Sequence, residues 1–311
     1  MKRCPITYEI ISDQENYSQR GLRLLSPQLQ NLTPLALSAD EQRQAAIDRV
    51  GKMSIQGVQK KLSAQLRVKA ECFEIVDQYG HYILKPPSDI YPELPENEAM
   101  TMSLAKMIGL EVPLHGLVYS KDNSMTYFIK RFDRFGHHQK LALEDFAQLS
   151  GEDRHTKYNS SMEKVINVIE NFCTFPKIEL VKLFKLTLFN FLVGNEDMHL
   201  KNFSLITKNN KITMSPAYDL LNSTIAQKNA KEEIALPIKG KKNNLTHKDF
   251  FEYFAVERLG LNPKVMHSVR QVFQQVLPGW KALIRISFLS EPMQEKYLYL
   301  LEERFERLEI I

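Results

Sequence analysis

The chain has 311 residues and a formal net charge of +4, and 43% of its residues are hydrophobic and 25% charged. This composition is typical of a soluble globular protein of one large or two ordinary domains, and it does not indicate a nucleic-acid surface. Three widely spaced cysteines, Cys4, Cys72 and Cys173, favour a reducing compartment over a disulfide framework or a zinc site. Neither a signal peptide nor a membrane-spanning segment is evident, so we expect a cytoplasmic protein without membrane contact.

The first half of the chain is rich in predicted strands. A helix start at Ser38 precedes a short helix over 41–50. Alternation of apolar and polar residues predicts strands at 62–68, 72–76, 82–85, 112–119 and 125–132. Between the third and fourth strands, Pro95 opens a helix that ends at Gly109.

Beyond about residue 144 the pattern becomes mostly helical. Periodicity of 3.6 residues predicts helices over 161–172, 177–193, 247–259 and 263–311. The C-terminal aromatic residues, Trp280 among them, fit a core. We therefore predict an α+β chain with an N-terminal segment at 1–50, a strand-rich lobe at 51–143 and a helical lobe at 144–311.

A dense group of polar residues follows the apolar segment 177–193. Phosphoryl transfer needs a carboxylate that orients and deprotonates a hydroxyl, and oxygen ligands for Mg²⁺. Protein kinases supply an Asp, an Asn five residues later and a second Asp after a short hairpin. Asp197, Asn202 and Asp219 match this order and spacing, so we predict Asp197 as the base and the other two as Mg²⁺ ligands. Lys201 is placed to contact the γ-phosphate of ATP, and His199 to brace the loop.

Other parts of a kinase site are less defined by the sequence. An isolated Asp and Asn at this spacing would more often form a turn, but the preceding apolar segment and the downstream Asp favour chemistry. Lys85 and Lys130 each end a predicted strand, and either could hold phosphates or be a surface lysine. Glu98 could pair with such a lysine or simply favour the helix start. The loop around Gly57 has no glycine-rich phosphate motif and by itself is only a basic turn.

Taken together, these segments resemble the HipA family of kinases, most closely its short HipT variant. The matching pieces follow the order of the family, and they are 54–59, 82–86, 96–98, 129–134, 144–146, 195–202, 216–220 and 240–242. The resemblance implies a bilobal protein-kinase-like fold with a strand-rich N-lobe, a helical C-lobe and ATP in the cleft. It also implies a set of ATP contacts, namely Gly57, Val58, Lys85, Lys130, Glu144, Phe146, His199, Lys201, Asn202 and Tyr218.

The resemblance further implies a toxin with an antitoxin. Members phosphorylate serine on aminoacyl-tRNA synthetases, and a serine at the position of Ser54 is autophosphorylated and shuts the enzyme down. Only 53 residues precede this serine, so a missing subdomain is expected as a separate HipS-like antitoxin, together with a HipB-like DNA-binding partner. Gln56 stands where many short relatives have serine, so one autophosphorylation site is absent.

Two other functions remain open at the level of the sequence. The same Asp, Asn and Asp geometry would serve a kinase-fold phosphotransferase that acts on a small molecule. A catalytically silent protein that binds the antitoxin would not need all of these residues. The basic segment 239–242 could contact a tRNA-bearing substrate, although a solvated loop is the simpler interpretation, and we expect no direct sequence-specific binding of nucleic acid.

Overall fold

The computed structural model describes residues 1–49, 59–136, 138–152, 156–227 and 232–311. The chain divides into two compact units. Unit 1 comprises Met1–Ala99, Pro113–Lys140 and Ile286–Leu289, and unit 2 comprises Met100–Val112, Leu141–Arg285 and Ser290–Ile311. In the described part of the chain, no helix is long and apolar enough to cross a membrane.

Unit 1 is built on a five-stranded antiparallel sheet. Its helices and strands are α1 Gln19–Leu25, α2 Ala39–Asp48, β1 Leu62–Arg67, β2 Cys72–Ile75, β3 Tyr82–Lys85, β4 His115–Tyr119, β5 Met125–Lys130, β6 Arg134–Phe135 and β7 Gln139–Lys140. The sheet has the order β2-β1-β3-β5-β4, and β6 pairs with β7. The five predicted strands are therefore confirmed, with ends that differ by a few residues. A further helix, α3, spans Leu94–Met107, and its first residues belong to unit 1.

The N-terminal segment of unit 1 packs against the sheet rather than forming a separate part. Leu22, Leu25 and Leu35 share one buried core with Leu62 and Phe128. Backbone hydrogen bonds reinforce this packing, because the amide of residue 117 donates to the carbonyl of residue 5 and the amide of residue 33 to that of residue 71. The described residues of the predicted N-terminal segment, 1–49, thus share the compact unit of the strands, since their leucines cover an apolar sheet face that would otherwise meet water.

Unit 2 is mostly helical but contains a small sheet. Its elements are β8 Ala142–Asp145, α4 Phe146–Leu149, α5 Met162–Phe172, α6 Pro176–Val193, β9 Ser204–Lys208, β10 Lys211–Met214, α7 Ser223–Ala226, a π-helix Lys248–Arg258, α8 Pro263–Arg285 and α9 Glu291–Arg307. The sheet has the order β10-β9-β8. The predicted helix over 263–311 is two helices, because Ser290 caps a new start and Pro292 occupies its first turn.

Helix α6 forms the centre of unit 2. It is apolar on nearly all sides, and such a helix is stable only when other elements surround it. Trp280 of α8 is fully buried, its ring lies 5.5 Å from that of Phe189 in α6, and its Nε1 donates to the Leu104 carbonyl over 3.1 Å. The indole proton is thus satisfied inside the core, as a buried tryptophan requires, and the predicted core role of Trp280 is confirmed.

A hairpin made of β9 and β10 is attached to the start of α6. Its turn residues Asn209 and Asn210 have φ of 50° and 58°, the left-handed conformations that a two-residue hairpin turn requires and that asparagine tolerates. The Met214 amide at the end of β10 donates to Glu179 Oε2 over 3.0 Å. Because Glu179 is a buried residue of the first turn of α6, the helix fixes where the hairpin ends.

Candidate functional site

The loop that follows α6 begins at Gly194, a position where the backbone conformation and the neighbouring atoms favour glycine over other residues. Gly194 caps the helix with φ +74°, in the left-handed region that favours glycine. A Cβ atom at this position would lie 2.7 Å from Asn222 Oδ1 and 3.0 Å from Thr224 Oγ1. The helix therefore ends here, and the loop that carries the predicted catalytic residues starts in close contact with α7.

Two asparagine side chains fix the backbone of this loop. Asn195, fully buried, donates through Nδ2 to Asn190 Oδ1 over 2.9 Å and accepts from the Asp197 amide over 3.2 Å. Asn202 donates through Nδ2 to the Asp197 carbonyl over 2.8 Å. The peptide units on both sides of Asp197 are therefore held by side-chain hydrogen bonds, and the position of its carboxylate is restricted.

The Asp197 carboxylate is half-exposed, and among the described residues one of its oxygens has a partner. Its side chain is 48% exposed, and Oδ1 accepts a hydrogen bond from the Tyr158 hydroxyl. Oδ2 accepts no hydrogen bond from any residue that the structure describes. A half-exposed carboxylate on a fixed loop could accept a proton from an incoming hydroxyl, as the predicted general base would.

His199 lies beside this carboxylate and is neutral. Burial lowers its pKa, and the nearby Lys157 ammonium lowers it further, while the Asp197 and Asp219 carboxylates act in the opposite direction. Lys157 Nζ is 2.6 Å from His199 Nε2, and a protonated lysine can only donate, so this ring nitrogen accepts. Nε2 also lies 3.9 Å from Asp197 Oδ1. The histidine therefore packs against the Asp197 carboxylate, and its predicted role in bracing the loop stays a prediction.

Asn202 and Asp219 have the chemistry of Mg²⁺ ligands. Magnesium prefers carboxylate and amide oxygens and usually completes its shell with water and substrate phosphates. Since Nδ2 of Asn202 is used by the Asp197 carbonyl, its Oδ1 remains, and no described residue donates to that oxygen. Asp219 has φ +54°, a left-handed conformation that is uncommon for residues other than glycine but that aspartate tolerates. One amide and one carboxylate fit Mg²⁺ bound together with a nucleotide.

Lys201 and Tyr218 complete this part of the site. The Tyr218 hydroxyl donates to the Lys201 carbonyl over 3.0 Å and contacts Ser204 Oγ at 2.6 Å. Burial raises the pKa of Tyr218, so the hydroxyl stays protonated. The Lys201 ammonium forms no hydrogen bond or ion pair with another residue in the described ranges. The hydrogen bond from Tyr218 thus connects the loop that carries Lys201 to the residue before Asp219. The Lys201 ammonium could bind a ligand.

The two lysines that end predicted strands in unit 1 differ sharply in their burial. Lys85, at the end of β3, places Nζ 2.6 Å from Glu98 Oε1, and the two side chains are 4% and 1% exposed. Lys85 Nζ also lies 5.6 Å from the centre of the Tyr127 ring. Lys130, at the end of β5, is exposed. Lys85 therefore has the buried glutamate partner that the sequence suggested for one of these lysines.

The remaining predicted nucleotide contacts are only partly described. Glu144 is exposed on β8. Phe146 has no exposed surface, its ring centre is 5.6 Å from that of Phe203, and its amide donates to the Phe203 carbonyl over 3.0 Å. The ring of Phe146 is therefore packed in the core, and its predicted contact with the nucleotide stays a prediction. The predicted contacts Gly57 and Val58 and the predicted autophosphorylation site Ser54 lie outside the described residues.

The basic segment 239–242 is engaged with the protein itself. Lys241 Nζ is 3.1 Å from Asp249 Oδ1 and Lys242 Nζ is 3.0 Å from Glu232 Oε2. Lys239 Nζ lies over the Tyr253 ring, 5.0 Å from its centre. All three charges have partners within the protein, which favours the simpler interpretation of a structural loop.

Sequence reasoning missed Lys157 and Tyr158. They precede α5 in a segment without periodicity, and their contacts with His199 and Asp197 span 42 and 39 residues of the chain. The only available signal was the pair itself, an aromatic residue after a lysine in a polar stretch, and such pairs are common on surfaces. Their importance follows from tertiary contacts alone.

Comparison with known proteins identifies relatives of this chain. A family model described as the HipA-like C-terminal domain matches residues 53–280. A Haemophilus influenzae protein named "Putative kinase" is 28% identical over 100% of this chain and 98% of its own length. A Sinorhizobium fredii protein, "Putative kinase Y4dM", is 31% identical over 74% of this chain and 60% of its own. The "Serine/threonine-protein kinase toxin HipA" of Shewanella oneidensis is 27% identical over 55% of this chain and 43% of its own.

Solved structures give the fold. Shewanella oneidensis HipA, in a complex with HipB and operator DNA, has a TM-score of 0.69 at 21% identity and covers 89% of this chain and 73% of its own. The Helicobacter pylori proinflammatory kinase CtkA has a TM-score of 0.53 at 18% identity, with 74% of this chain and 88% of its own covered. The predicted α+β, bilobal kinase-like fold is therefore confirmed.

Proposed function

The chain belongs to the family of HipA-like C-terminal domains, and on this premise we propose that it is an ATP- and Mg²⁺-dependent serine/threonine protein kinase. The observation that carries the proposal is the fixed, half-exposed carboxylate of Asp197, with Asn202 five residues later and Asp219 after a hairpin. These three residues offer one base and two oxygen ligands, which phosphoryl transfer requires. A small-molecule kinase would use the same groups, so the choice of a protein substrate rests on the named relatives.

Each residue of the proposed site has a defined task. Asp197 would accept the proton of the acceptor hydroxyl as its oxygen attacks the γ-phosphorus of ATP and ADP leaves. Asn202 and Asp219 would hold Mg²⁺, which neutralises charge on the phosphates. Lys201 would contact the γ-phosphate. Lys85, oriented by Glu98, would contact the nucleotide phosphates, and the exposed Lys130 would make a weaker contact.

We further propose that this kinase is a toxin that arrests growth in a toxin–antitoxin system. The support is that Shewanella oneidensis HipA is named a toxin and was solved with HipB and operator DNA. On this proposal the substrate is a serine of a translation protein, an aminoacyl-tRNA synthetase being the first to test, and the site of action is the cytoplasm. Assignment to the short HipT variant, a HipS-like antitoxin and autophosphorylation of Ser54 belong to the same proposal and remain predictions.

Intact-mass analysis after incubation with ATP and Mg²⁺ tests the activity. We expect the wild-type protein to gain one phosphate, and peptide mapping to place it on Ser54. Asp197→Ala should gain no phosphate, because this substitution removes the carboxylate that is proposed to accept the proton of the acceptor hydroxyl. Glu196→Gln is the matched control, since Glu196 is the neighbouring carboxylate and its Oε1 accepts from Thr224 Oγ1 over 2.6 Å. Equal phosphate gain in wild type and Asp197→Ala would contradict the proposed base.

No gain by a wild-type protein whose Ser54 begins unmodified would remove the self-inactivation claim. The two alternatives, a small-molecule kinase and a catalytically silent antitoxin-binding protein, would then be favoured. ADP release measured with a synthetase and with small hydroxyl compounds would separate the first of these from the second.

A further inference from the structure

Two neighbouring residues ahead of α5 contact both the proposed base and its histidine. The Tyr158 hydroxyl donates to Asp197 Oδ1, and Lys157 Nζ donates to His199 Nε2 over 2.6 Å. The rings of Tyr158 and His199 are perpendicular, with centres 4.9 Å apart, and Lys157 Nζ lies 4.9 Å from the centre of the Tyr158 ring. All four residues belong to unit 2, so this cluster is a property of one compact body.

The two oxygens of the Asp197 carboxylate are therefore not equivalent. Oδ1 accepts from Tyr158 and has His199 Nε2 at 3.9 Å. Oδ2 accepts from no described residue, and the side chain is 48% exposed. A carboxylate that rotates freely presents either oxygen at many angles, whereas one oxygen held by a hydroxyl fixes the direction of the other.

We propose that Tyr158 is a positioning residue of the kinase, which holds Oδ1 of Asp197 so that Oδ2 faces the acceptor hydroxyl. This inference rests on the proposed function, and it adds to the Asp, Asn and Asp set a residue from a different part of the chain. A phenol suits the task because its ring is rigid and has few rotamers to lose. Burial and the contact with Asp197 raise the pKa of Tyr158, so the hydroxyl remains a donor at neutral pH.

A different role, in which Tyr158 blocks the base by mimicking a substrate hydroxyl, makes the opposite prediction. A blocking residue would have to leave before catalysis, so its removal would raise the rate. The half-exposed carboxylate argues against blocking, because Tyr158 contacts only Oδ1 and the side chain is still 48% exposed with Tyr158 in place.

The test compares two Tyr→Phe variants that each delete a single hydroxyl bonded to a carboxylate. Tyr158→Phe removes the donor to Asp197. Tyr253→Phe is the matched control, since the Tyr253 hydroxyl donates to Glu163 Oε1 over 3.0 Å, in the same unit but in contact with none of the proposed catalytic residues. Rates of self-phosphorylation over a series of ATP concentrations give a maximal rate and a half-saturating concentration, and calorimetric titration with MgADP gives nucleotide affinity.

We expect Tyr158→Phe to lower the maximal rate about tenfold, since a misplacement of about 1 Å costs roughly a hundredfold and the loss of one hydroxyl should shift the carboxylate by less. Its half-saturating ATP concentration and MgADP affinity should stay within about twofold of wild type, because no nucleotide contact is lost. Tyr253→Phe should match wild type throughout. A purely structural role for Tyr158 would instead change ATP affinity or thermal stability together with the rate.

Besides that structural outcome, three others would overturn the inference. A maximal rate equal to wild type would mean that Asp197 does not need Tyr158, and a higher rate would identify a blocking contact. A rise in half-saturating ATP with no change in maximal rate would assign Tyr158 to nucleotide binding. If neither wild type nor Tyr253→Phe transfers phosphate, the proposed function itself fails and the inference fails with it. That result differs from the other three because wild type is then inactive.

Discussion

Breaking the buried ion pair between Lys85 and Glu98 should destabilise the protein strongly. Lys85 Nζ and Glu98 Oε1 are 2.6 Å apart, and the side chains are 4% and 1% exposed. Two unit charges at this distance attract by about 6 kcal/mol at an effective dielectric constant of 20. Lys85→Met removes the attraction but leaves a desolvated carboxylate, so we expect a loss of about 3–5 kcal/mol in the free energy of unfolding.

An exposed pair of equal length provides the control. Lys281 Nζ and Glu302 Oε1 are also 2.6 Å apart, but their side chains are 39% and 50% exposed. Lys281→Met should cost less than about 1 kcal/mol, because water solvates the glutamate that remains. Urea unfolding followed by far-UV circular dichroism is the assay. Tryptophan fluorescence is unsuitable, because Trp280, the single tryptophan, lies in unit 2 and Lys85 lies in unit 1.

A double variant tests the physical reason. Lys85→Met with Glu98→Leu removes both charges, so most of the stability lost in Lys85→Met should return, although phosphoryl transfer should not. Equal costs for Lys85→Met and Lys281→Met would refute the argument that burial sets the size of the effect. A double variant no more stable than Lys85→Met would refute the argument that the unpaired carboxylate causes the loss.

Two further predictions concern the backbone and pH. Gly194→Ala should destabilise the protein by about 2 kcal/mol or more, and Gly109→Ala by about 1 kcal/mol, as measured by urea unfolding. Both glycines have φ +74°, but of the two only Gly194 has other atoms where a Cβ would lie, with Asn222 Oδ1 at 2.7 Å. Equal losses of stability in the two variants would contradict the steric argument. Burial raises the pKa of Glu96 to about 7, so its stabilising contribution is full below pH 4.5 and is lost as pH rises through 7. Glu96→Gln should therefore be more stable than wild type at pH 8 and equal to it at pH 4, and a difference that is the same at both pH values would exclude Glu96 as the cause.

The parts of the fold that could be predicted are those encoded by local pattern. The apolar segment 177–193 is hydrophobic on nearly all sides and became the buried helix α6. The two asparagines at 209 and 210 stand between alternating segments and became the hairpin turn. In each case the residues that determine the element lie within a few positions of one another.

The parts that could not be predicted depend on distant pairing. Strand β8 has only four residues and forms because Glu144 pairs with Leu205, far along the chain. The break before α9 is marked only by Ser290 and the proline after Glu291, within a run of apolar residues that continues on both sides of it.

The candidate site follows the same division. The order of Asp197, Asn202 and Asp219 is visible in the sequence because one loop and one hairpin contain all three. The sequence could not show which of Lys85 and Lys130 has a glutamate partner, because both residues end neighbouring strands. Only the position of Glu98 on α3 distinguishes them.

The attachment of the hairpin to α6 makes its turn a place where foreign sequence can be inserted. The Met214 amide is held by Glu179 before the chain reaches Asp219, and the Ala217 amide donates to the Glu111 carbonyl over 2.8 Å. Asn209 and Asn210 are exposed at the far end of the hairpin. A peptide tag or a fluorophore-bearing cysteine placed between them would therefore leave Asp219 where it is, and would provide a handle for immobilising the active kinase during searches for its substrate.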